Sequence, residues 1–236
     1  MILFYSVKKD RLIWVFVGLF GLAVIFICGV FDERQMAKEA LAVPIANQVV
    51  VIDPGHGGFD AGALANGIEE KEINLAVCRY LKGYIEQGGG IAVLTRTEDV
   101  STAEENTRGV SAKKSDLTAR KKLAETAGAD VFVSIHMNKF PQTQYKGAQV
   151  FYSESGKRLG EEIQASLKEV IDDGNERQAK KTDGNIFILK DTSVPSVIVE
   201  CGFLSNPQDA ELLMQDAYRQ KLAWGIYLGL VRYFNG

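Results

Sequence analysis

The chain has 236 residues, 46% of them hydrophobic and 24% charged, with 27 basic residues against 30 acidic ones for a formal net charge of −3. Twelve Phe and eight Tyr supply apolar volume for a real core, while 5 Pro and 23 Gly exclude a collagen-like or proline-rich chain. The weakly acidic balance argues against nucleic acid as a partner, and three cysteines (Cys28, Cys78 and Cys201) are too few for a disulfide framework or a four-thiolate zinc site.

Leu12–Phe31 is an uninterrupted apolar run of 20 residues. At a helical rise of about 1.5 Å per residue this matches a hydrocarbon core of about 30 Å, so the run reads as a membrane-spanning helix. Lys8, Lys9 and Arg11 precede it and Asp32-Glu33 follow it, which leaves residues 1–11 cytoplasmic and exports the rest. The competing reading is a cleaved signal peptide, with Ala40-Leu41-Ala42 as the processing site. That run is longer than the ~7–15 residues of a signal core, which favours an uncleaved anchor. Residues 32–47 are polar with scattered Ala and read as a linker, and residues 48–236 as the functional domain.

Within that domain short β-branched runs alternate with longer helical patterns. Val49–Ile52, Ile91–Thr95, Val131–His136, Ala148–Tyr152, Ile186–Leu189 and Val197–Glu200 read as strands. Glu70–Gln87, Ser115–Ala127, Gly156–Ile171 and Pro207–Phe234 read as helices, with Ser115-Asp116 and Ser205-Asn206-Pro207 as start signals and Gly88-Gly89-Gly90 as a stop. The polar stretch Glu98–Lys114 is long for a connection. This alternation predicts a single α/β domain with a mainly parallel central sheet flanked by helices.

The only two histidines stand at strand ends: His56 follows VVVID, and His136 closes VFVSIH. A third apolar strand closes with Glu200. In open α/β sheets the C-terminal strand edge is where sites are built, so these three groups converge if their strands are neighbours. A lone histidine is more often structural than a ligand, but Gly55, Gly57 and Gly58 around His56 let backbone approach an ion or substrate closely. The order G-H-G-G, with no following Lys-Ser/Thr, does not suit a nucleotide phosphate loop.

Two histidines suit zinc, whose catalytic sites take three protein ligands, so a carboxylate has to complete the set. Glu69, Glu70 and Glu72 all lie within loop reach of His56, and spacing does not rank Glu69 against Glu70. A carboxylate ending a buried strand, as Glu200 does, is costly unless it pairs, binds metal or titrates in a reaction. The ordinary alternative for it is an ion pair with Lys190 or Arg120. Cys201 has no histidine left to activate it and reads as small buried filler.

The segments VVIDPGHGGFDAGA, EEKEINLAV, ADVFVSIHMN and SVPSVIVECGFLSNPQDAELL together resemble the zinc-dependent N-acetylmuramoyl-L-alanine amidases of the Amidase_3 type, over about Val49 to Phe234. That resemblance implies zinc held by His56, Glu70 and His136, and Glu200 as the catalytic acid and base. It implies hydrolysis of the amide between the lactyl group of N-acetylmuramic acid and the L-Ala of the peptidoglycan stem peptide. Asn138, Arg120 and Ser205-Asn206 fall in family-like positions as support, while Glu125-Thr126 departs from the Ala-Asn of many relatives. An apolar span followed by a bare catalytic domain is similar to the spore-cortex type of germination enzyme. It implies an exported protein held on the outer face of the cytoplasmic or forespore membrane, with peptidoglycan as substrate and an accessory protein left open. Another zinc peptidoglycan hydrolase, such as a stem-peptide carboxypeptidase, and a non-catalytic wall-binding protein are the alternatives.

Overall fold

The computed structural model describes residues 19–22, 44–65, 67–104 and 107–236. The chain is already packed from its turn at Pro44, because Ile45 is fully buried and Asn47 N–H donates to Gly89 O at 2.9 Å. β1 (Val49–Pro54) is followed by a short hairpin of β2 (Leu64–Ala65) and β3 (Ile68–Glu69), then α1 (Glu70–Gln87) and β4 (Ile91–Leu94). Next come α2 (Gly109–Thr126), β5 (Val131–Asn138), β6 (Gln149–Tyr152) and α3 (Lys157–Ile171). The chain ends with β7 (Lys180–Lys181), β8 (Ser196–Phe203), α4 (Pro207–Met214) and α5 (Asp216–Asn235).

The main sheet has the order β4-β1-β5-β8-β6-β7. β4, β1, β5 and β8 run parallel, whereas β6 lies antiparallel to β8, so the sheet is mixed. Its central strands are buried on both faces, which is why they read as continuous apolar runs and not as alternating ones. Successive side chains nevertheless go to opposite sides. Val50, Ile52, Val133, Val197 and Val199 pack toward Val77 and Leu81 of α1, Ile163 of α3 and Leu222 and Ile226 of α5. Val51, Phe132 and Ile198 pack on the other face toward Ala124 of α2. Each such fully buried aliphatic side chain contributes about 1.5–3 kcal/mol.

Three expectations need correction. Ile186–Leu189 is not a strand: Phe187–Leu189 form a short 3-10 turn. The apolar run exists because Ile188 and Leu189 cover the second sheet face beside Val51 and Phe132, not because they extend the sheet. The helix expected at Ser115 begins at Gly109, within the stretch read as a long polar connection. Asp116 is therefore not a cap but a buried side chain on the inner face, accepting from Ser101 Oγ at 2.9 Å and Thr102 N at 2.6 Å. The single helix expected over Pro207–Phe234 is two, because Gln215 is extended (φ −80°, ψ 128°). The Asn206 cap does form: its Oδ1 accepts from Gln208 N and Asp209 N, both at 3.0 Å, with Pro207 at the first helical position.

The predicted membrane span Leu12–Phe31 lies outside the described residues except for the helical Leu19–Leu22. Among the described residues no helix is long and apolar enough to cross a membrane.

Candidate metal centre and catalytic site

β1, β5 and β8 are neighbours, so His56 just past β1, His136 near the end of β5 and Glu200, which β8 continues beyond to Phe203 instead of ending on, come together on one side of the sheet. His136 and Glu200 are directly paired in register, and Asp53 lies opposite Ser134. α1 enters from the side and begins at Glu70.

Glu70 is 3% exposed, and its carboxylate lies between the two histidines. Oε2 is 3.2 Å from His56 Nε2, and Oε1 is 3.1 Å from His136 Nδ1. Oε1 also accepts from Met137 N at 2.9 Å and from Asn74 Nδ2 at 3.3 Å, while Oε2 accepts from Ala63 N at 2.8 Å. Burial pushes the Glu70 carboxyl up, but the hydrogen bonds and charges of His136 and His56 outweigh it and hold the group far below the carboxylate range. Glu69 instead pairs with Lys71 at 2.9 Å and Glu72 is exposed, so of the three acids Glu70 is the one that lies against both imidazoles.

One ligand atom from each of His56, Glu70 and His136 can be chosen so that all lie within 4.8 Å of one another. Ligand atoms around a tetrahedral zinc at ~2.0–2.1 Å are roughly 3.3 Å apart, so the two contacts to Glu70 are already at coordination spacing. The backbone is cut away to make room. A Cβ on Gly55 would lie 2.3 Å from His136 Nε2, and one on Gly62 would lie 2.6 Å from Glu70 Oε2. The donor set, two imidazoles and a carboxylate, fits a divalent cation of zinc type.

Glu200 has no ion-pair partner among the described residues. Lys190 does not reach it, and Arg120 is engaged by Asp53 at 2.9 Å and Asp116 at 2.8 Å. Its Oε2 is buried without a hydrogen bond. Burial raises its carboxyl to about 7, His136 and His56 opposing the rise and Glu70 adding to it. A carboxyl kept poised near neutrality beside two imidazoles can both take and return a proton. Cys201, next in sequence, is fully buried and burial drives its thiol upward, away from thiolate chemistry.

Several supporting residues had no separate signal in the sequence. Asp60 Oδ2 lies 3.0 Å from His56 Nδ1, within ion-pair reach but off the N–H axis, so Nδ1 has no aligned hydrogen bond. Its position four residues after His56 in the glycine loop was the available clue. Asp53 lies beneath, accepting from Thr95 Oγ1 and Ser134 Oγ, both at 2.6 Å, and pairing with Arg120. Arg96 threads under the loop from the end of β4. Of the family-like supports, Arg120 belongs to this buried network, Ser205 Oγ accepts from Phe140 N at 3.1 Å, and Asn138 contributes its carbonyl to Leu204 N–H. Beside His56 and His136 a cavity of about 180 Å³ opens between Phe59, Lys113, Leu117, Phe187 and Ile198.

Two imidazoles and a carboxylate at coordination spacing, with an unpaired acid across from them on a sheet's C-terminal rim, define a metal-assisted hydrolase. Residues 50–232 match the family described as N-acetylmuramoyl-L-alanine amidase, Amidase_3, and the chain belongs to that family. It is accordingly an enzyme, an N-acetylmuramoyl-L-alanine amidase. It is 32% identical to the germination-specific N-acetylmuramoyl-L-alanine amidase of Bacillus subtilis strain 168, over 96% of this chain and 97% of that protein. Among solved structures, the CwlD amidase from Clostridioides difficile in complex with the GerS lipoprotein superposes with a TM-score of 0.77 at 42% identity, covering 80% of this chain and 99% of that one. The AmiC2 amidase of Nostoc punctiforme gives 0.71 at 31% identity, covering 80% and 98%.

Proposed function

We propose that this amidase is zinc-dependent, holds the metal through His56, Glu70 and His136, uses Glu200 as its acid and base, and acts on spore-cortex peptidoglycan. The observation that carries the reading is the Glu70 carboxylate held 3.2 Å and 3.1 Å from the two imidazoles, with Glu200 paired in register beside His136. Zinc, when bound, would activate a water and polarise the lactyl carbonyl. Glu200 takes a proton from the attacking water and returns it to the L-Ala nitrogen as the amide breaks. Its buried Oε2, with no hydrogen bond of its own, is available for both transfers. Glu70 and the glycine loop keep the imidazoles fixed, and the cavity beside them shelters the scissile bond from bulk water.

The cortex assignment is supported by the near full-length match to the germination-specific amidase. The C. difficile relative was solved with a lipoprotein, which supports an accessory protein of that kind as a partner here. The expected products distinguish this activity from that of a stem-peptide carboxypeptidase. Mass spectrometry of cortex and vegetative peptidoglycan digested with the purified protein should find free lactyl groups on the glycan and peptides beginning with L-Ala, with cortex the better substrate. Release of a C-terminal amino acid instead would refute the reading.

The charge pattern around Leu12–Phe31 supports export with the span retained as an anchor. Because the domain is packed from Pro44, only residues 32–43 of the linker could extend, to at most ~43 Å, confining the enzyme to wall laid close to its membrane. Fractionation with N-terminal sequencing is expected to find the protein in membranes with its N-terminus intact. A soluble species beginning near Val43 would contradict the tether.

A further inference from the structure

Arg96 is 3% exposed, yet no carboxylate lies within ion-pair distance of its guanidinium among the described residues. Its charge is solvated by backbone carbonyls alone. Nε donates to Pro54 O at 3.0 Å and His56 O at 2.7 Å. Nη2 donates to Gly55 O at 3.1 Å and Lys71 O at 2.9 Å, and Nη1 to Glu98 O at 3.0 Å. Burying an unpaired cation is expensive, and a well-packed apolar residue would fill the space at lower cost. The compensating effect is geometric. Three consecutive carbonyls, of residues 54 to 56, are gathered on one guanidinium, and the same group reaches the residue next to Glu70 on α1.

That arrangement bears directly on the proposed ligands. His56 has φ +62°, a left-handed conformation that is strained for a non-glycine residue and persists only when its surroundings impose it. Gly57 follows at φ +134°, and a Cβ there would lie 2.8 Å from Arg96 Nε, so the loop is folded tightly onto this side chain. Arg120 also donates to His56 O, at 2.7 Å, but it is paired with Asp53 and Asp116 and so belongs to a buried ion network. Arg96 ties the His56 loop to the start of the helix carrying Glu70 through Lys71 O. On that helix Asn74 Nδ2 adds bonds to Gly55 O at 3.0 Å and Glu70 Oε1 at 3.3 Å, and Lys71 Nζ one to Gly58 O at 3.1 Å, but only Arg96 gathers the carbonyls of residues 54 to 56 together with the helix.

We propose that Arg96 is a positioning residue for the metal: its guanidinium holds the Pro54–His56 loop and the first turn of α1 so that His56 Nε2 and Glu70 Oε2 stand at coordination spacing before any ion arrives. The inference rests on the reading of His56 and Glu70 as ligands. Lysine cannot replace it, because an ammonium has three donors at one point whereas the guanidinium presents five in a rigid fork.

The test measures zinc affinity of the full chain by competition with a chromophoric chelator, alongside thermal unfolding of the metal-free protein, for Arg96→Met, Arg96→Lys and His56→Ala. Arg96→Met is expected to weaken zinc about 10–100-fold, the range for losing a partner that orients a ligand. Arg96→Lys should recover the metal-free unfolding midpoint more fully than the zinc affinity, a split that a purely structural role would not produce. His56→Ala should lose zinc more severely than either. Wild-type zinc affinity in Arg96→Lys, with binding lost in His56→Ala, would overturn the inference alone, and this holds even if Arg96→Met fails to fold. Wild-type affinity in His56→Ala would overturn the ligand reading beneath it.

Discussion

Glu200→Gln is expected to bind zinc as the wild-type protein does and to lose about 10²–10⁴-fold in turnover, the usual range for removing a general acid–base group. The amide matches the carboxyl in shape, so packing around β8 is kept, but it cannot accept a proton from water and deliver it to a leaving nitrogen. It also removes a carboxyl whose Oε2 is buried without a partner, so little folding stability is at stake. Metal analysis and single-turnover kinetics on the same preparation check both halves. Release of the metal by Glu200→Gln would make Glu200 a ligand and reverse the assigned roles.

Glu70→Ala and His136→Ala are expected to lose the metal as well as the activity, because each removes one of three donors. The fall in affinity should exceed the ~10–100-fold typical of residues that only orient ligands. Glu70 carries a second consequence. Its carboxylate satisfies the backbone N–H groups of Met137 and Ala63, so its loss strands one buried and one half-buried donor and should lower the unfolding midpoint, while His136→Ala should lower it less. Chelation of the wild-type protein should abolish turnover yet leave its helical signal, since the proposed ligands stand on β5, on α1 and in the loop just after β1, all held by the core. Circular dichroism with and without chelator checks this, and global loss of helical signal would refute it.

Much of this was legible in the amino-acid sequence. The apolar runs of β1, β5 and β8 identify strands that must be buried on both faces, and His56, His136 and Glu200 at or near their C-terminal ends are conspicuous because those runs are otherwise mostly apolar, Asp53, Ser134 and Ser196 excepted. Whether the three strands are adjacent is a property of topology, and only the sheet order brings His56, His136 and Glu200 together. Spacing alone did not choose between Glu70 and Glu69, and only the family resemblance pointed to Glu70. Both sit at the helix start, and the difference lies in direction: Glu70 turns inward to the imidazoles while Glu69 turns to Lys71. The strand expected at Ile186–Leu189 failed for a related reason. A short apolar run states that it will be covered, not whether it joins a sheet or lies across one. Arg96 was invisible because its partners are carbonyls, which every residue carries. Asp116 was misread as a helix start because a buried acid within a helix and a capping acid look alike in sequence.

The proposed chemistry requires His56, Glu70 and His136 to hold zinc while Glu200 does not. A crystal structure of the zinc-loaded protein, with anomalous data collected on both sides of the zinc absorption edge, tests this most directly. The predicted result is a single strong peak within ~2.0–2.2 Å of His56 Nε2, a Glu70 carboxylate oxygen and a His136 ring nitrogen, with Glu200 outside coordination distance. A peak ligated by Glu200, or zinc seated elsewhere with Glu70 still bridging the two imidazoles, would contradict it.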